Sequence, residues 1–84
     1  MIDLNYTVIN IQSNVRKKLK ALEKLGYFWV DGTKPTHYIP EKDAKWLIVK
    51  YNVFFYTCKS NHGYCNYRDA TEDLLINKKD LYND

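Results

Sequence analysis

The side chains best suited to chemistry are Cys58, His62 and Cys65, spaced C-x3-H-x2-C, with His37 as a fourth candidate from a proline-rich stretch. Three chemistries use such groups. A tetrahedral zinc site needs four thiolate or imidazole ligands, but this spacing is not that of a paired knuckle, and His37 would have to approach from a separate loop. A disulfide between Cys58 and Cys65 would close a short loop, whereas a reducing compartment keeps both thiols free. A thiolate nucleophile needs a base, an orienting third group and a pocket, and of these only a base, His62, is offered locally. The favoured reading is plainer: "NHG" turns a loop flanked by two half-buried cysteines. No GxxxxGK[ST] phosphate loop, GxGxxG turn, HExxH helix or GxSxG elbow occurs. The carboxylates Asp31, Glu41 and Asp43 read as solvated loop charge. The expectation is a protein that is not an enzyme and uses no metal or cofactor.

A second constellation concerns binding. Arg16, Lys17, Lys20 and Lys24 recur along one side of a helical stretch and could meet phosphates or an acidic protein, with Tyr38, Tyr51, Tyr64 or Tyr67 supplying rings to stack on bases or fill a contact. Eight tyrosines, three phenylalanines and two tryptophans in 84 residues exceed what so small a core encloses, so some rings must lie at the surface. The expected contact regions are the basic helix face and the loops holding Tyr38 and "KSNHGY". The candidate binding residues are therefore Arg16, Lys17, Lys20, Lys24, Tyr38, Asn61, His62 and Tyr64.

The elements that must position these groups follow from periodicity and punctuation. "LNYTVINI" reads as a strand with Leu4, Tyr6, Val8 and Asn10 on one side and Thr7, Ile9 and Ile11 on the other. Ser13 or Asn14 is placed to cap a helix whose Val15, Leu19, Leu22 and Leu25 form an apolar stripe, and Gly26 is placed to end it in a left-handed conformation. "YFWV" reads as a short strand, its alternation sending Tyr27 and Trp29 to one face and Phe28 and Val30 to the other. Pro35 and Pro40 make the following stretch a loop. "AKWLIVK" and "VFFYT" read as an antiparallel hairpin, "YRDA" as a short edge strand, and Thr71 with "EDLLI" as a final short helix before a frayed end. The fold class expected is α+β, with one main helix packed on a small, mostly antiparallel sheet, in a single domain over residues 1–84.

The totals bound the rest. Charged residues make up 27% and hydrophobic residues 45%, a globular composition with no apolar run of the roughly 20 residues a membrane span requires. The start, "MIDLNYTVINIQ", lacks a basic and then apolar leader, so a cytoplasmic location and no membrane partner are expected. Net charge is +3, with ten bases and five acids over residues 1–67 and three bases and five acids over residues 68–84. That balance selects neither nucleic acid nor a DNA mimic.

The stretch "VRKKLKALEKLGYFWVDGTKPTHYIP", followed by the hairpin and "NYRDATEDLL", resembles a class of small proteins encoded by phages and prophages of Gram-positive bacteria. In that class an amphipathic helix ending in Leu-Gly-Tyr-x-Trp leads to a Gly-x-Lys-Pro-like turn and then a sheet. Leu22, Leu25, Gly26, Tyr27, Trp29, Gly32, Lys34 and Pro35 carry the likeness. The resemblance implies a protein that works in the host cytoplasm and binds, inhibits or diverts a host protein, including components of antiviral defence. It supplies no catalytic motif, and the "CKSNHGYC" loop is not part of the shared pattern. The expected function is non-catalytic inhibition of a host protein by a monomer or homodimer. The alternatives are nucleic-acid binding through the basic helix face and sequestration of a small nucleotide.

Overall fold

The computed structural model describes residues 3–59 and 62–71. Strand β1 (Thr7–Asn10) leads to helix α1 (Val15–Lys24), strand β2 (Phe28–Trp29), a 3-10 turn (Pro35–His37), and strands β3 (Trp46–Lys50) and β4 (Val53–Thr57). A second 3-10 turn (His62–Tyr64) precedes strand β5 (Arg68–Asp69). Over the described residues the architecture is α+β, one α-helix and a five-stranded sheet ordered β2-β4-β3-β1-β5. The expected C-terminal helix lies outside the described residues beyond Thr71.

The sheet is mixed: its longer ladders are antiparallel, as expected, and a short parallel pairing is added at each edge. β3 runs antiparallel to both β1 and β4, while β2 pairs parallel with β4 and β5 parallel with β1. The physical reason is the helix: α1 carries the chain across the sheet, and a crossover of that length delivers the next strand parallel to the one it left. The β3–β4 hairpin then fills the space between them. Consequently β4 lies inside the sheet along Val53–Phe54, where β2 covers it.

Local rules account for the joints. Gly26 has φ +89°, with its N–H donating to the Glu23 carbonyl and the Tyr27 N–H to that of Leu22. Those are the two bonds of a Schellman ending, so the expected glycine stop is present. At the other end the capping expectation is corrected. Asn14 adopts a left-handed backbone, φ 54°, in place of the extended one a capping side chain needs, and makes no side-chain cap bond. Lys18 serves this joint instead: 1% exposed, its Nζ donates to the Asn10 carbonyl at 2.6 Å and the Ser13 carbonyl at 2.9 Å. The hairpin turns through Tyr51 and Asn52, both at positive φ, the conformation of a two-residue primed turn. Asn5 braces it by accepting from the Asn52 backbone N–H and donating to the Asn52 amide oxygen.

The core lies between α1 and one sheet face. Leu19, Ala21 and Leu22 of the helix meet Ile9, Leu47, Val49, Phe54, Tyr27 and Trp29, with Leu4 and Ile11 completing the cluster. Leu4 thus shares a side with Ile9 and not with Tyr6 and Val8. Tyr6 has φ 61°, which breaks the strand before Thr7 and cancels the simple alternation expected from residue 4. Tyr27 and Trp29 are buried while Phe28 and Val30 are exposed, as alternation along β2 predicts.

Candidate functional site

Among the described residues the candidate binding side chains fall into two groups on opposite sides of the sheet. Arg16, Lys17, Lys20 and Lys24 are all exposed on α1. The loop after β2 folds back along this helix because Glu23 accepts two hydrogen bonds from Thr36, one from its backbone N–H and one from its hydroxyl at 2.7 Å. Those bonds, the hydroxyl's first, hold the Glu23 carboxyl below its ordinary pKa. Arg16, Leu19 and Lys20 therefore share a groove of about 370 Å³ with Thr36 and Ile39. Tyr38, in the same loop, is 45% exposed, its ring edge-on to buried Trp29 at 5.1 Å.

The second group occupies the other face. Phe55 alternates with Phe54 and Tyr56 along β4 and so points away from α1, where it meets Tyr64 at 6.2 Å. From Tyr64 a row of edge-on contacts runs through Tyr67 and Tyr6 to Tyr51. Lys50 Nζ lies 5.2 Å from the Tyr51 ring centre. The hydrogen bond between the Tyr6 and Tyr51 side chains pushes the Tyr6 phenol up. The expected grouping of the helix lysines with Tyr51, Tyr64 and Tyr67 is thereby divided by the sheet, and Tyr38 alone of those rings remains with the helix. Asn61 and the side chain of His62 lie outside the described residues; only the backbone of His62 is placed, in the 3-10 turn.

The cysteines are free. Cys58 donates its thiol to Glu41 Oε1 at 3.2 Å, and that bond, reinforced by the carboxylate charge, pushes the thiol pKa up. A thiol held protonated is a poor nucleophile and a poor metal ligand at neutral pH. Among the described residues no group of three or more His, Cys, Asp or Glu side chains converges on one point.

A third feature was not legible from residue types. Trp29, Val30, Asp31, Thr33, His37, Tyr38, Phe55 and Tyr56 line a cleft of about 570 Å³ at the β2 edge. Trp29 donates its indole N–H to the Pro35 carbonyl at 3.2 Å, which fixes one wall. The Tyr56 phenol is pushed up to about 12, first by its hydrogen bond with Tyr38 and then by the charge of Glu41. Asp31 accepts from the Thr33 N–H at 2.9 Å, and that bond holds its carboxyl below the ordinary range. Ile39, Thr36 and Asp31 were missed as site residues because nothing in spacing shows that residue 36 returns to residue 23. The only available signal was that the loop starts from a buried Trp29.

No described helix is long and apolar enough to cross a membrane. Compared with protein-family models, with curated proteins and with solved structures, the chain matches none.

Proposed function

We propose that this chain is a non-catalytic binding protein that inhibits or diverts a host protein by covering part of its surface, with the α1 flank and the loop after β2 as the contact face. One observation carries the reading: Arg16 and Lys20 line the same groove as exposed Ile39. A polar, cationic rim around an aliphatic centre suits a protein contact. The Glu23–Thr36 bonds pre-order the loop, so binding loses little conformational entropy there. The complementary partner is a protein with an acidic rim around an apolar depression. The resemblance to phage proteins supports a bacterial host as its source and a defence or regulatory protein as its class.

The test is affinity capture from a host lysate with the wild-type chain and with an Arg16→Glu, Lys20→Glu, Ile39→Asp variant whose circular dichroism is unchanged. The reading requires one protein to be retained by the wild type and lost by the variant, and the same protein to lose its activity when the wild type is added. Equal capture by both chains would remove this face from consideration. Binding to nucleic acid, the second reading, would appear as a salt-sensitive mobility shift. Sequestration of a small nucleotide would appear as thermal stabilisation by that nucleotide.

A further inference from the structure

The β2 edge of the sheet stops early, pairing with β4 only at Val53 and Phe54. Phe54 presents its N–H and C=O to β2, and the Val30 N–H donates to the Phe54 carbonyl at 2.9 Å as the last bond on that side. The chain then leaves the edge. Gly32, at φ +90°, donates to the Trp29 carbonyl, and Trp29 donates to the Thr33 carbonyl, closing a tight turn that points away from β4. Backbone groups alternate along a strand, so Tyr56 presents its N–H and C=O to the same outer edge as Phe54. Neither group has a partner among the described residues. The aromatic cleft lies at this point. Phe55 and Val30 belong to one side of the sheet plane and Tyr56, Tyr38 and His37 to the other, so the cleft flanks a prospective strand above and below.

We propose that an extended segment of a partner protein, in which apolar residues alternate with lysine or arginine, adds to β4 at Tyr56 in the space that β2 vacates. Backbone pairing to Tyr56 supplies the attachment, and side chains of alternate residues enter the two halves of the cleft. Charge selects a basic strand. Asp31 lines the cleft as a carboxylate, and Glu41 lies close enough to Tyr56 and Cys58 to influence both. Charge also speaks against a second copy of this chain, because a two-fold pairing across Tyr56 would turn Asp31 and Glu41 of each copy toward the same residues of the other. This site draws on the same loop after β2 as the α1 face, but none of the residues that line the helix groove lines this cleft. Replacement of Arg16 and Lys20 leaves it intact, so the two readings fail independently.

The experiment is an NMR titration of the isotopically labelled full chain with the capped pentapeptide Val-Lys-Val-Lys-Val. The expected result is a saturable shift of the Tyr56 amide with slowed hydrogen exchange, while Ile9 and Leu47 amides stay unchanged. The Glu-for-Lys peptide and a peptide N-methylated at alternate residues should both fail to produce it. Asp31→Asn keeps the oxygen that accepts from Thr33 and should weaken the lysine peptide by about two- to fivefold, the effect of an exposed ion pair. An unshifted Tyr56 amide at millimolar peptide would overturn the proposal, as would equal binding of the N-methylated peptide. Concentration-dependent protection of Tyr56 without any peptide would assign the edge to a second copy and overturn the choice of partner.

Discussion

Lys18 offers the sharpest check on the fold that carries these surfaces. Replacing it with Met keeps the length and packing of the side chain but removes the ammonium that ties the β1–α1 joint to the carbonyls of Asn10 and Ser13. Two opposing effects decide the sign. Met relieves the cost of burying a charge that is 1% exposed, while two backbone carbonyls lose a charged donor. Bonds to charged groups contribute about 1.5–3 kcal/mol each, and a carbonyl left unpaired costs about 1–3 kcal/mol. Both carbonyls are only partly buried and regain some water, so the net loss for Lys18→Met is expected near the low end, about 1–3 kcal/mol. That is a substantial part of the roughly 4–13 kcal/mol expected for a domain of this length.

Urea unfolding followed by tryptophan fluorescence measures the loss at neutral pH, and repeating it up to pH 10 tests its electrostatic origin. Burial lowers the Lys18 pKa below its ordinary 10.5, with the Asp69 charge opposing. Between the lowered value and 10.5 the folded state therefore binds fewer protons than the unfolded state. Wild-type stability should rise with pH through that window, a rise the Met variant lacks. If the variant matches the wild type at pH 7, the Lys18 side chain does not secure this joint; if the gap between them does not widen as pH rises, burial does not lower the Lys18 pKa.

Other predictions follow from the same geometry. Trp29→Ala should cost about 3–5 kcal/mol, because a 4% exposed ring touching Phe54 at 4.5 Å leaves a cavity; a loss under 1 kcal/mol would mean that Trp29 is not core. The Tyr56 phenol should titrate near 12 by carbon NMR and fall toward 10 in Tyr38→Phe, and because the folded state retains this proton longer than the unfolded one, stability should drop as pH rises from 10 to 12. Titration of Tyr56 near 10 in the wild type would refute the pairing. Glu41→Gln removes the charge that keeps the Cys58 thiol protonated, so alkylation of Cys58 in a Cys65→Ser background should accelerate at pH 8; an unchanged rate would count against the thiol–carboxylate contact.

Much of the fold was legible because single residues marked its boundaries. Gly26 ended the helix, the leucine spacing set the helix face, and alternation along β2 correctly buried Trp29 and exposed Val30. The hairpin was found from two apolar runs, although Tyr51 at positive φ is not a residue that announces such a turn. The misreadings share a cause. Asn14 and Tyr6 take left-handed backbones that their residue types do not dictate, and each displaced an expectation about its neighbours. Lys18 was invisible as a buried group, because its partners Asn10 and Ser13 are brought to it by the bend and not by helical spacing.

For the candidate site the division is sharper. Composition established that aromatic rings must reach the surface, and helical spacing that one helix face is cationic. Only the tertiary structure decided which of them meet. It put Ile39 beside Arg16 and Lys20 through one Glu23–Thr36 clasp, and it carried Tyr64 and Tyr67 to the opposite face. It also ended β2 two residues after it began, so that β2 pairs with Val53 and Phe54 and does not reach Tyr56. The physical reason is that surface burial and helical periodicity are short-range properties written in residue type. Strand order, by contrast, depends on where the helix crossover delivers the chain, and that is settled by packing across the whole domain.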